Sequence, residues 1–554
     1  MTMNTILMKS ILLSSITLST LLACSPQTKN RSENEIINPK IIKKQKLSVP
    51  KSEVMVKKAA PGNAYKQAYS HPIHIIRPNL SDQVNTEKYN NNPENELQQA
   101  HIQPVSTFSV DVDTGSYTNS RRMLNMGKLP PSNAVRIEEF INYFDYQYQS
   151  PANINTPFKV YTEVAPAPWD HNRQLLKIGL KGFEIDKSSL NDANLVFLLD
   201  VSGSMKAENK LPLLKRSLLM LSKQLDQNDT VSIVVYAGAA GVVLEPTKGN
   251  EYHKISMALA KLQAGGSTNG GSGITLAYQL AQQNFKKEGV NRVILATDGD
   301  FNVGTKSVDE LKELIIKNKE SGITLTTLGF GHGNYNDALM EQLADIGNGH
   351  HAYIDNINEA RKVLVDEISA TMQIIAKDVK IQVEFNPDQI SEYRLIGYQN
   401  RLLKQEDFNN DKVDAGEMGA GHTVTALYEL TLSNSKNKRI DKLRYQNKIK
   451  KITELKHNEL AFIKLRYKAQ NSNISQLISK VILRSDIKSN LEHASDNFGF
   501  SVAVSGFAQL LKGGKYTQRY TYHDVIELAK LNKGSDDFGY RAEFIQLVRT
   551  AEAL

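Results

Sequence analysis

Between Asn194 and Met372 short apolar runs alternate with amphipathic helical stretches, and few folds accept that order. The runs at 195–199, 231–236, 292–297, 324–329 and 351–354 have the length and composition of buried strands. Between them, 211–225 carries Leu214, Leu218, Leu221 and Leu225 at steps of four, three and four, which places them on one helical face. Segments 274–285, 308–316 and 337–346 read the same way. Strand–helix alternation of this kind predicts an α/β fold: a doubly wound, mostly parallel, Rossmann-like sheet covered by helices on both faces. In such sheets ligands bind beyond the carboxyl ends of the strands, near the point where strand order reverses.

Three oxygen-rich pieces fall where that rule looks for a site. Asp200-Val201-Ser202-Gly203-Ser204 follows the first run, Thr268 lies in a Gly-Gly-Ser-Thr-Asn-Gly-Gly loop, and Asp298 follows the third run in Ala-Thr-Asp-Gly-Asp. Carboxylate, hydroxyl and water oxygens suit Mg²⁺, which favours octahedral geometry and keeps several waters, so a coordination position stays open. Mn²⁺ or Ca²⁺ are the alternative ions. The structural reading of the same residues is plainer: Asp200 and Ser202 cap the next helix, and Asp298 makes a turn.

The pattern Asp-x-Ser-x-Ser with a distant Thr and a distant Asp resembles the metal-ion-dependent adhesion site of von Willebrand factor type A domains. That resemblance implies that Ser202, Ser204 and Thr268 offer hydroxyls to the metal. It also implies that Asp200 and Asp298 supply charge directly or through water, and that a carboxylate of a partner protein fills the open position. A type A domain is therefore expected over 191–372. The stretch Ser-Thr-Phe-Ser-Val-Asp-Val-Asp-Thr-Gly-Ser-Tyr-Thr-Asn-Ser-Arg-Arg, from Ser106 to Arg122, is similar to the segment preceding type A domains in a family of bacterial envelope proteins. Tyr393-Arg394-Leu395-Ile396-Gly397-Tyr398 and the glycine-rich stretch from Asp414 to His422 resemble the carboxyl-terminal part of the same family.

Lys9, an apolar stretch at 11–22 and Leu21-Leu22-Ala23-Cys24 have the layout of a secretory leader, too short to span a bilayer permanently. The last four residues resemble a bacterial lipobox, which implies a signal peptide at 1–23 and acyl chains, palmitate among them, on Cys24. This is the single cysteine of the chain, so no intramolecular disulfide supports the fold. At about 0.8 kcal/mol per buried methylene, several acyl chains on one residue make a lasting anchor. Ser25 resembles the residue found in lipoproteins sent to the outer membrane, so the expected location is the cell envelope, anchored by lipid.

The formal charge of +8 raises the question of a nucleic-acid partner. Most of it lies between residues 25 and 62, where Lys29, Arg31, Lys40, Lys43, Lys44, Lys46, Lys51, Lys57 and Lys58 face only Glu33, Glu35 and Glu53. Without that run and Lys9, the body is close to neutral, which argues against a nucleic-acid groove. The polar, aperiodic stretch 24–99 reads as a flexible, lipidated tether. Segment 100–190 mixes strand-like and helical pieces, with strands expected at 105–113, 158–164 and 175–183. A C-terminal region, 373–554, begins β-rich at 379–385, 393–398, 424–430 and 460–468. From Asn473 helices are expected to dominate, at 500–511, 522–531 and 538–550. Strands on both sides of the type A domain suggest one β-rich module into which that domain is inserted.

Other constellations are weaker. Asp113-Thr114-Gly115-Ser116 copies the catalytic turn of aspartic proteases, but those need two carboxylates sharing a proton and only one copy is present. Asp407, Asn409 and Asp411 start like a calcium loop, yet Lys412 replaces the required Gly and Met418 the required Glu. His332, His350 and His351 lack zinc-ligand spacing, and Ser202 lacks a nucleophile elbow. The resulting expectation is a non-catalytic, lipid-anchored envelope protein that binds an acidic protein partner through a Mg²⁺-dependent site. The alternatives are a structural envelope component with a metal-stiffened site, or a hydrolase or aspartic-type protease using Asp113.

Overall fold

A computed structural model of the chain describes residues 86–186, 189–268, 270–299, 307–441, 456–470 and 472–554. The expected leader, the expected lipidation site Cys24 and most of the tether lie outside the described residues. Among the described residues no helix is long and apolar enough to cross a membrane.

The central sheet has the strand order His351–Ile354, Ile323–Phe330, Val290–Thr297, Ala193–Asp200, Thr230–Tyr236, Ala240–Lys248. All but the last run parallel, as the strand–helix alternation predicts. Pleating sends successive side chains to opposite faces: Leu195, Phe197 and Leu199 enter one core while Val196 and Leu198 enter the other. Each such Leu taken from water contributes roughly 1.5–3 kcal/mol. Helices Leu211–Ser222 and Tyr252–Lys261 cover the first face; Gly270–Gln283, Val308–Glu320 and Asp337–Ile346 cover the second. Helix Val308–Glu320 starts at a Ser307–Glu310 capping box.

Two features depart from expectation here. The antiparallel strand Ala240–Lys248 contains Gly241 and Pro246 and sits half-exposed at the sheet edge, where such residues are tolerated, so its strand signal is weak. The first helix stops at Ser222, short of Leu225.

The flanking segments are interleaved rather than successive. One antiparallel sheet has the order Gln98–Gln99, Ile390–Ile396, Thr423–Leu432, Asp170–Gly182, Phe158–Ala167, with Lys181 opposite Thr423 and Gln174 opposite Leu430. A second joins Gly416–Gly419, Ile374–Phe385, Glu459–Ala469 and Ser475–Leu483, and Val105–Ser109 also pairs with Ile374–Phe385. Strands from both sides of the α/β domain thus share sheets, and that domain is an insertion between them. Val164, Leu176 and Tyr428 point into the core between the sheets. Their neighbours Ala165, Leu175 and Leu427 point the other way, onto helices Gly115–Asn125, Ile137–Asn142, Asp496–Leu511, Tyr522–Leu531 and Tyr540–Ala553.

The chain after Asn473 is not purely helical. Strand Ser475–Leu483 pairs with Glu459–Ala469 as an edge whose Leu477 and Leu483 stay exposed, so burial leaves no alternation to read. The tether also ends earlier than residue 99. Glu87 forms an ion pair with Arg122 and accepts from the Gly333 N–H, and the Asn95 amide donates to the carbonyls of Leu395 and Gly397. Polar bonds rather than apolar periodicity hold this strap, which is why its composition reads as disordered.

Arginines of the flanking module hold the inserted domain at its His351–Ile354 side. Arg121 binds Asp355 at 2.5 and 2.8 Å and Glu359 at 2.8 Å. Arg136 pairs with Asp337, and Arg401 binds Asp345 at 2.6 and 2.9 Å.

Candidate functional site

Strand order reverses between Ala193–Asp200 and Val290–Thr297, and Asp200 and Asp298 lie at the carboxyl ends of these neighbours. The Asp200 carboxylate is fully buried and held from several directions. Its Oδ1 accepts the Ser202 N–H at 2.9 Å, and its Oδ2 accepts the hydroxyls of Thr297 at 2.9 Å and Tyr236 at 3.3 Å. Burial pushes this carboxyl up, the Ser202 hydrogen bonds pull against it, and the nearby charge of Asp298 adds to the rise. The Ser202 and Ser204 Oγ atoms face each other at 3.0 Å.

The Thr268 loop is tied to this one through backbone. Gly203 N–H donates to the Gly266 carbonyl at 3.0 Å, and Gly265 N–H donates to the Val201 carbonyl at 2.8 Å. Gly266 has φ +84°, a left-handed conformation that a side chain would strain. Thr268 itself is half-buried, two residues before helix Gly270–Gln283.

Asp298 is fully buried and accepts from Lys210 Nζ at 2.7 Å. Lys210, 8 % exposed, precedes helix Leu211–Ser222 and runs past Gly331, where an added Cβ would lie 2.2 Å from its Cε. Asn334 Oδ1 lies 3.5 Å from the same ammonium. Sequence reasoning missed this residue, although one sign was available. A cation at a helix N-cap opposes the helix dipole, and no side-chain cap is made there.

The donor set therefore consists of two carboxylates and three hydroxyls on loops bonded to one another or ending adjacent strands. Hard oxygens of this kind fit a small divalent cation. The ammonium beside Asp298 shows that the buried negative charge is met by positive charge in this structure.

The other candidates are engaged elsewhere. Asp113 is buried, accepts the His351 N–H at 2.8 Å and lies 3.4 Å from Arg401, and burial pushes its carboxyl well up. His351 Nδ1 and Nε2 are hydrogen-bonded to Thr327 and Tyr335 at 2.9 and 2.7 Å. His350 is pushed down to about 3 by burial. Of the calcium-loop candidates, Asp407 and Asn409 fall in the 3-10 turn Gln405–Asn409, and Asp411 pairs with Arg466.

Fold and loop positions together define a protein of the von Willebrand factor type A class. Profiles described as von Willebrand factor type A domain, von Willebrand factor, and Uncharacterized protein YfbK, C-terminal match residues 194–366, 83–177 and 370–554. The chain is 43 % identical over 497 residues to Uncharacterized protein YfbK of Escherichia coli, covering 88 % of this chain and 84 % of that one. It belongs to this YfbK family of type A domain proteins. Uncharacterized protein sll0103 of Synechocystis is 29 % identical over 35 % of this chain and 45 % of its own. Among solved structures, a von Willebrand factor type A protein from Catenulispora acidiphila aligns with TM-score 0.41 and 14 % identity over 73 % of this chain and 91 % of its own. BatB from Bacteroides thetaiotaomicron aligns with TM-score 0.28 and 24 % identity over 32 % and 97 %. Type A domains are typically interaction modules without catalysis, so membership points to protein–protein interaction.

Proposed function

We propose that this chain captures an acidic protein partner through a divalent cation, Mg²⁺ in the first instance, held by Asp200, Ser202, Ser204, Thr268 and Asp298. The observation that supports the reading most is the meeting of the first and second loops through the Gly203–Gly266 bond, with the two serine hydroxyls 3.0 Å apart beside Asp200. The ion would supply an electrophilic centre in a partly dry site, where a carboxylate contact is stronger than an exposed ion pair. On the same reading the leader and lipidated Cys24 anchor the chain in the bacterial envelope, at the outer membrane.

Calorimetric titration of the folded chain with MgCl₂ tests the site. One equivalent of heat that disappears in Asp200→Ala and Ser204→Ala, with circular dichroism unchanged, is expected. Absence of metal binding by folded wild type at millimolar Mg²⁺ sinks the reading. Incorporation of labelled palmitate that is lost in Cys24→Ala tests the anchor, and an unlabelled wild type rejects it. The Lys210–Asp298 ion pair favours one second reading, a site already neutralised from within whose metal only stiffens the loops. Partner capture insensitive to chelator, measured by cross-linking in intact cells, selects that reading instead.

A further inference from the structure

A groove of about 680 Å³ opens between helices Leu211–Ser222 and Tyr252–Lys261. Pro212, Leu219, Ala260 and Ala264 present its apolar surface over the buried Leu211, Leu259 and Leu262. Its charged lining consists of Lys206, Lys215 and Arg216, and among the described residues no acidic side chain lines it. Lys215 is committed, since its Nζ donates to the carbonyls of Ala260 and Leu262 at 3.0 and 3.1 Å and so ties the two helices together. Lys206 and Arg216 are exposed.

The groove's lining adjoins the oxygen-rich loops along the chain. Met205 and Lys206 in its lining directly follow Ser204, and Gln263 and Ala264 directly precede Gly265-Gly266, whose backbone bonds to Val201 and Gly203. An occupant that places a carboxylate at those loops therefore has its next few residues over apolar floor and basic rim. In an extended chain, side chains on one face recur every second residue, about 7 Å apart.

Resting on the metal reading above, we infer that the partner presents an extended acidic segment in which the metal-seeking carboxylate is followed within one to three positions by a bulky apolar side chain. The apolar residue fills the groove, and further acids face Lys206 and Arg216.

The test uses fluorescein-labelled octapeptides of sequence Gly-Gly-Asp-Gly-Leu-Gly-Glu-Gly, with Leu→Ser and Asp→Asn versions. Fluorescence polarisation is read against the full chain in Mg²⁺ and in EDTA. The expected result is chelator-sensitive binding, about tenfold tighter for Leu than for Ser. The exposed-site variant Arg216→Glu should weaken it severalfold, and Leu219→Ser should erase the Leu preference. Chelator-sensitive binding that ignores both the Leu→Ser change and Arg216→Glu overturns the groove assignment while keeping the metal site. Leu-dependent binding that is the same in EDTA keeps the groove and rejects the metal reading. Arg216-dependent binding to vesicles of phosphatidylglycerol without peptide binding overturns the proposal in favour of lipid. Normal Mg²⁺ titration with no peptide bound at millimolar concentration also overturns it.

Discussion

Lys210→Met separates metal chemistry from ordinary packing at the site. The substitution keeps an unbranched stem of similar length against Gly331 and removes only the ammonium. Asp298 is fully buried, Lys210 is 8 % exposed, and they meet at 2.7 Å. Removing one partner of a buried pair costs roughly 3–5 kcal/mol, because the other charge is left uncompensated. A divalent ion drawn to the same carboxylates offsets that loss. Binding to the folded state alone adds RT ln(1 + [L]/Kd), about 2.7 kcal/mol at a hundredfold excess over Kd. In EDTA, therefore, Lys210→Met should unfold at distinctly lower urea than wild type. In 10 mM Mg²⁺ about half of the deficit should return, while wild type, with its internal cation in place, gains less. Paired urea titrations followed by far-ultraviolet circular dichroism give both differences. The double variant Lys210→Met/Asp298→Asn, which removes both members of the pair, should be less destabilised than Lys210→Met and should regain less in Mg²⁺. An equal loss for Lys210→Met in EDTA and in Mg²⁺ would refute the claim that metal and ammonium answer the same charge.

Burial pushes Glu417 up to about 7, with Asn348 Nδ2 donating to it at 2.9 Å. A folded-state value raised above the unfolded one contributes stability that is present below about pH 4.5 and lost as pH rises through 7. Glu417→Gln should thus stabilise by about 1–3 kcal/mol at pH 8 and by almost nothing at pH 4; equal effects at both pH values in urea melts would contradict this. Gly299→Ala replaces no proposed ligand, but its Cβ would lie 2.5 Å from Asn336 N at a φ of +91° beside Asp298, so Mg²⁺ affinity by calorimetry should fall at least about tenfold. A chain starting at residue 80 should melt like one starting at residue 25. One starting at residue 104 loses the pairs of Glu87 with Arg122 and Glu94 with Arg394, and should be less stable by about 2 kcal/mol or more. Coincident melting curves for all three would show that the strap is only loosely attached.

The parts legible in the sequence are those whose cause is local. The run ending in Asp200 is apolar because both faces of that strand are covered, and the leucines from Leu214 to Leu221 fall on one face because the helix packs on one core. The loops carrying Ser202 and Asp298 follow from the same logic, since a parallel strand must end in a loop at its carboxyl edge, whereas the Thr268 loop joins helices Tyr252–Lys261 and Gly270–Gln283 and is marked by its glycines. What escaped reading depends on distant partners or on edges. Lys210 and Asp298 are 88 positions apart, and the one local sign, a lysine at a helix N-cap, does not say which carboxylate it reaches. Strands Ala240–Lys248 and Ser475–Leu483 lie at sheet edges, where one side needs no apolar partner.

The way the module grips the inserted domain decides which face is left for a partner. Asp337, Asp345 and Asp355, taken by Arg136, Arg401 and Arg121, lie in or beside helix Asp337–Ile346 and strand His351–Ile354, at one edge of the central sheet. Strands Ala193–Asp200, Thr230–Tyr236 and Ala240–Lys248 occupy the opposite half. The groove between Leu211–Ser222 and Tyr252–Lys261 belongs to that half, and both Ser204 and Arg216 remain exposed. Buried arginine pairs are costly to break singly, so the docked edge is held, and among the described residues none of these pairs covers the loop-and-groove face. On the proposed reading, a partner approaching from that side displaces none of these pairs, and its binding requires no separation of the two parts.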